Sequence, residues 1–382
     1  MKTMIKLLSL GAIVTALALP VAAKSLPLLD ISTQDQCSQE NKDTYYADFR
    51  TNRTTDQAKA YDNAKKYLAC PDAEPTEATT KIVDYLKKWV GAYEDLTEKQ
   101  KIRTALYNDP RNYPLAYETG KKVLGREPEN LNILIDLGAN GYLLANLKNP
   151  ALNAEAVEHA KKAISLLEAG KTVEDWKPLS GKDEALAYLN YTIGVFTLEK
   201  DPSSALKNLL KAAQYETPLK KSPFTYGYIG GAYESGPYAK LSDQYKQLYQ
   251  GKDETPESKL ALANINQIVD RMIDAYARAV ALAGDAKFAD QKKAWSTLLT
   301  DWYKYRYQKE EGMNEMIAGI LSKPLPPEPT PLTSLPMAAP ASTPAGSSGT
   351  SGTTPATAAS NGSGDAKPAT AKTTGGPNKP RE

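Results

Sequence analysis

The chain has 382 residues, 41% hydrophobic and 24% charged, which suits one or two ordinary folded domains and excludes a wholly disordered or wholly membrane-embedded protein. Forty-seven basic against 45 acidic residues leave a net charge of +2, without the cationic surface that non-specific binding to nucleic acid or to an anionic membrane requires. With one histidine, His159, and two cysteines, Cys37 and Cys70, the chain alone cannot build a site of two imidazoles or a four-ligand Cys/His cage.

Residues 1–23 combine Lys2 and Lys6, an apolar run of 13 residues from Leu7 to Leu19, and the small-residue ending Pro20-Val21-Ala22-Ala23. This pattern predicts a secretory signal peptide cut after Ala23. The run is too short for a bilayer core of about 30 Å, so no integral span is expected after cleavage. Without Lys2 and Lys6 the remaining chain is neutral. The expected destination is periplasmic or secreted.

Residues 24–43 form a polar N-terminal extension. In an exported protein Cys37 and Cys70 are expected to pair. The bridge would close a loop of about 33 residues, worth about 3–4 kcal/mol on a chain-entropy basis. There is no CxxC spacing to suggest a redox pair.

From residue 44 to residue 322 the apolar pattern is helical. Ile82, Tyr85, Leu86, Trp89, Val90 and Tyr93 recur at steps of three and four, which puts them on one helix face. Breakers at Pro71, Pro75, Pro110, Pro128, Gly170, Pro178, Pro218, Pro223, Pro256 and Gly284 predict helices of about 10 to 20 residues joined as hairpins. No period-two run of β-branched residues predicts a strand.

An apolar residue followed by glycine recurs inside these helical stretches, at Leu137-Gly138, Ile193-Gly194 and Ile229-Gly230. Small residues follow at fixed spacing, as Ala156, Ala160 and Ala163, then as Ala205, Leu209 and Ala212. Ala116, Gly120, Val123 and Pro128 repeat the pattern, and Tyr276 with Ala279 extends it. Mid-helix glycine costs about 1 kcal/mol relative to alanine, so its recurrence predicts close approach of backbones between stacked hairpins.

On these residues the chain resembles the tetratricopeptide-repeat family over about 240 residues between 40 and 322. Its first helices carry a Leu-Gly pair and its second helices carry alanines at this spacing. Tyr233 matches the aromatic that follows the pair, and weaker copies lie at Tyr45–Pro71 and Trp295–Leu321. The copies are degenerate: about six extra residues separate Gly138 from Ala156, and Gly251–Pro256 interrupts a unit.

The resemblance implies an all-α solenoid of helical hairpins, a right-handed superhelix whose first helices line a concave face. Transferred through the matched motifs, that face includes Asn132, Tyr142, Tyr188, Tyr191, Phe224 and Tyr228. The chain carries 23 Tyr against 4 Phe and 4 Trp, and tyrosine suits half-exposed recognition surfaces. The expected role is a non-catalytic scaffold or adaptor holding a protein or peptide partner of the bacterial envelope. A groove for a glycan or small molecule is the alternative, because tyrosines also stack on sugar rings, and a purely architectural spacer is another.

Chemistry-bearing motifs are sparse, and neither cofactor nor metal is expected. No Walker loop, GxGxxG or GxSxG occurs. Glu234-Ser235 resembles the acid of lytic transglycosylases, enzymes of cell-wall turnover, but the further motifs of that family are missing, and Gly236-Pro237 predicts a turn between two helices. His159, between Ala156 and Ala160, is expected on a helix surface or groove.

From Lys323 the composition changes: 12 of 26 prolines and 7 of 24 glycines fall in the last 60 residues, and no aromatic follows Tyr307. Residues 323–382 are expected to be a disordered tail, stiff over Pro324–Pro329 and flexible beyond.

Overall fold

The computed structural model describes residues 36–147 and 149–335. The predicted leader and the tail beyond residue 335 therefore lie outside the described residues. Those that are described form an all-helical protein without a strand, and none of their helices is long and apolar enough to cross a membrane. The described residues divide into two compact units, one up to Asp95 and the other from Leu96.

In the first unit, α1 (Gln39–Asn52) and α2 (Gln57–Leu68) form a hairpin, and α3 (Glu77–Tyr107) begins after it. Ser38 caps α1 and Asp56 caps α2, each accepting an orphan amide of the first turn. Phe49, Ala60, Ala64, Tyr67, Leu86 and Val90 make the core, with Trp89 edge-on to Phe49 at 5.0 Å. Cys37 and Cys70 are bonded, their Cα atoms 5.1 Å apart. The buried Lys42 pairs with Asp72, just beyond that bridge. Helix α1 starts inside the expected N-terminal extension, because Ser38 and the adjoining disulfide pin its first turn.

The second unit continues with α4 (Tyr113–Arg126), α5 (Leu131–Ala139), a 3₁₀ segment Gly141–Leu147, α6 (Pro150–Glu168), α7 (Lys182–Thr197), α8 (Pro202–Gln214), α9 (Pro223–Tyr233), α10 (Ala239–Tyr249), α11 (Pro256–Leu282), α12 (Ala289–Tyr307) and α13 (Met313–Gly319). Asn112, Asn130, Asn149 and Asp201 cap α4, α5, α6 and α8, three of them directly before a Pro-containing first turn. Neighbours in sequence pack on each other: α5 on α6, α6 on α7, α7 on α8, α8 on α9 and α11 on α12, with α9 also on α11.

The residues that carry the repeat spacing are core residues. Leu137, Ala116, Val123, Ala156, Ala160, Ala163, Ala205, Leu209, Ala212, Ile229 and Ala279 are fully buried. The glycines beside them do not all serve one contact. A β-carbon on Gly138 would meet the Ala160 backbone at 2.9 Å, whereas one on Gly194 would meet the Leu209 side chain at 2.5 Å and one on Gly230 the Tyr276 ring at 2.6 Å. Backbones meet at the first; at the other two the missing side chain leaves room for a large neighbour.

Three expectations are corrected. Helices α3 and α11 run 31 and 27 residues, longer than expected, because no proline falls between Pro75 and Pro110 or between Pro256 and Gly284. Glu234–Tyr238 is a π-helical turn instead of a break, passing the chain from α9 to α10. Its wider winding tolerates the absent N–H of Pro237. Finally, the described part of the tail, residues 323–335, runs along α11 and is bonded to it, so ordered chain extends past Leu321.

Candidate functional site

Gly141 opens the 3₁₀ segment at a point where a β-carbon would lie 2.6 Å from Thr192 and 2.7 Å from Ala156. The absence of a side chain lets the segment sit on α7, where the Tyr142 amide donates to the Thr192 hydroxyl at 3.1 Å. That contact aims the Tyr142 ring at α7. It stacks on Tyr188 (centroids 5.7 Å, 21°) and meets Tyr191 edge-on (5.4 Å, 72°), and Tyr191 in turn meets Tyr228 (6.1 Å, 70°).

The ladder has an open end and a closed end. Tyr142 and Tyr188 are half-buried, while Tyr191 and Tyr228 are 4% and 9% exposed. The buried pair packs between helices and backs the open pair. Burial, then Tyr188 and Tyr113, push the Tyr142 hydroxyl up to about 12, and Arg111 opposes them. Burial followed by the Glu184 carboxylate raises Tyr188. Both hydroxyls therefore stay protonated at neutral pH, and among the described residues neither makes a hydrogen bond.

Arg111 and Tyr113, whose side chains meet at 3.4 Å, act electrostatically on the Tyr142 hydroxyl and were not predicted. They precede α4 in a segment outside the repeat spacing, where only the run Arg111-Asn112-Tyr113 after Pro110 could have drawn notice. The other two predicted residues lie elsewhere. Phe224 is edge-on to Phe288 and Trp295, and a β-carbon on Gly227 would strike that same Trp295 indole. Asn132 is exposed on the first turn of α5.

A buried polar cluster joins the second-unit part of α3 to α5. Arg103 Nε donates to Asp136 Oδ2 at 3.0 Å, and the Tyr107 hydroxyl donates to Oδ1 at 3.0 Å while accepting from Asn140 at 2.8 Å. Burial holds the Asp136 carboxyl above the ordinary range against these partners. Both Asp136 oxygens and the Tyr107 hydroxyl are engaged within the cluster, which fastens α3 to α5.

Glu234 sits at the start of the π-turn, half-buried, accepting from the Tyr276 hydroxyl at 2.8 Å. Burial raises its pKa, opposed by hydrogen bonds from Tyr276 and Trp302. A carboxyl held this way is a raised-pKa acid whose neighbours are core aromatics. His159 is half-buried 6.0 Å from the Tyr117 ring, and its Nε2 has no hydrogen-bond partner among the described residues. Burial lowers its pKa, so it is neutral at pH 7. Among the described residues no group of three or more His, Cys, Asp or Glu is placed to hold a metal ion.

No protein-family model, curated protein or solved structure matches the chain.

Proposed function

We propose that the chain is an exported, non-catalytic scaffold of tetratricopeptide-like hairpins that holds a protein or peptide segment of the bacterial envelope. The observation that carries the reading is the open end of the tyrosine ladder. Tyr142 and Tyr188 present stacked, half-exposed rings with unengaged hydroxyls beside Arg111 and Tyr113, on a base of buried aromatics. Rigid aromatic area lost to solvent with little entropy cost, next to a guanidinium that donates to carbonyls or carboxylates, suits an extended peptide.

The solenoid reading is supported by the succession of neighbour-on-neighbour helix contacts, by the additional packing of α5 on α7, and by burial of the repeat-spacing residues. The disulfide supports an oxidising destination. Stacked tyrosines also favour a second reading, a glycan ligand.

The test pairs the full chain with a Tyr142→Ala/Tyr188→Ala variant of equal helicity, each probed with arrays of envelope-protein peptides and of cell-wall glycans. Peptides retained by the first and lost by the second support the scaffold. Glycans retained instead support the second reading, and no retention of either overturns both.

A further inference from the structure

Asn264, Arg271 and Arg278 follow one another at intervals of seven along α11, two helical turns apart, and so form one stripe. All three hold the main chain of the segment that follows α13. Arg278 Nη2 donates to the Pro324 carbonyl at 2.8 Å and Arg271 Nε to the Pro327 carbonyl at 2.7 Å. Asn264 both accepts from the Leu332 amide at 2.7 Å and donates to its carbonyl at 3.2 Å.

The donor register matches the chemistry of a proline-rich strand. Five of the eight residues 324–331 are proline, so the strand offers carbonyls and few amides. Donors face it until the non-proline Leu332, where the stripe supplies an amide group that bonds both ways. The lengths agree as well. Fourteen helical residues from 278 to 264 span about 21 Å, and eight residues from 324 to 332 in a polyproline II conformation span about 25 Å.

Two features exceed what a simple brace requires. Arg278 is only 4% exposed and already paired with Asp274 at 2.7 Å, so its remaining N–H is aimed at the strand by a built-in support. Alongside Pro329 and Pro331 a cleft of about 360 Å³ stays open between α10 and α11, lined by Leu241, Tyr245, Leu248 and Tyr249. Leu248 is 55% exposed there. An aromatic and aliphatic cleft beside carbonyl-directed donors is the arrangement that receives proline rings.

We propose that this stripe and cleft form a recognition site for extended proline-rich segments, which the chain fills with its own residues 324–332 and which a proline-rich segment of another protein fills by displacing them. The specificity lies in carbonyls at the first and fourth positions and an amide at the ninth. The site shares no residue with the tyrosine face, so the two proposals stand or fall separately.

The probe is a fluorescein-labelled peptide of residues 323–335, used with full-length protein. A variant with Pro326, Pro327, Pro329 and Pro331 replaced by serine weakens occupation by the chain's own strand, which otherwise competes at millimolar effective concentration. Fluorescence anisotropy is expected to show at least tenfold tighter peptide binding to this variant than to wild type. Adding Asn264→Ala and Arg271→Ala is expected to remove the gain. A natively helical serine variant that fails to bind, or binding indifferent to Asn264 and Arg271, overturns the proposal.

Should the serine variant misfold, amide exchange in the wild-type chain decides. Excess unlabelled peptide is expected to accelerate exchange at Leu332 by severalfold, and unchanged exchange at peptide concentrations tenfold above the effective concentration of the tethered strand overturns the proposal.

Discussion

Gly138 of α5 and Ala160 of α6 meet backbone to backbone: a β-carbon on Gly138 would lie 2.9 Å from both Cα and N of Ala160 and 2.7 Å from Leu189. Alanine at position 138 would gain about 1 kcal/mol of helix propensity and lose more by forcing two helices apart. Gly138→Ala is expected to destabilise the protein by about 1–3 kcal/mol in urea denaturation. Gly91 lies in mid-helix with nothing within 4 Å of its missing β-carbon; Gly91→Ala is expected to stabilise by about 0.5–1 kcal/mol. The same sign for both would refute this account of the glycines.

The Cys37–Cys70 bridge spans a sequence separation of 33. Replacing both cysteines by alanine is expected to lower the stability of the first unit by about 3 kcal/mol, read from the denaturant midpoint of α1 and α2 amide exchange. An unchanged midpoint would show that the core around Phe49 and Leu86 suffices without it.

Glu234 makes stability depend on pH with a definite sign. Burial holds its folded pKa above the ordinary 4.5, so the folded state binds the proton more tightly. Its contribution is fully present below the ordinary value and is lost as pH rises through the folded one. Glu234→Gln keeps an acceptor for Tyr276 and cannot ionise. The stability of the Gln variant relative to wild type is therefore expected to be greater at pH 7 than at pH 4. Equal differences at the two pH values would contradict a raised pKa.

Tyr188 and Tyr191 lie three residues apart on α7, yet they are expected to respond differently to truncation. Tyr191→Ala removes a ring that is 4% exposed and should cost about 3–5 kcal/mol by thermal or urea unfolding, like other buried aromatics. Tyr188→Ala should cost about 1 kcal/mol, leaving a folded protein in which recognition can be measured. Equal losses would mean that the ladder is a core feature along its whole length.

The buried small residues were legible because close packing is a local demand that recurs. A helix pressed against its neighbour needs small residues at fixed intervals, and Ala116, Ala156, Ala205 and Ala212, picked out by spacing, are each fully buried. The two cysteines were legible for a similar reason, since only one pairing exists.

The tyrosine face was legible only in part. Tyr142, Tyr188, Tyr191 and Tyr228 share one residue type, and Tyr188 and Tyr191 share one helix face, so nothing local distinguishes the open rings from the covered ones. What covers Tyr191 is the Tyr228 ring of another helix, 37 positions along the chain. Arg111 and Tyr113 act electrostatically on the Tyr142 hydroxyl from a segment about 30 positions earlier, outside the repeat spacing.

The sequence by itself determined helical class, the repeat spacing and the small residues that carry it, because each is a relation between residues a few positions apart. The tertiary structure alone decided the course of residues 324–332. Composition counts what a segment can bury on its own, and a proline-rich strand buries little. Its order comes from Asn264, Arg271 and Arg278, which are ordinary polar residues until α11 lines them up and the chain returns past α13 to meet them.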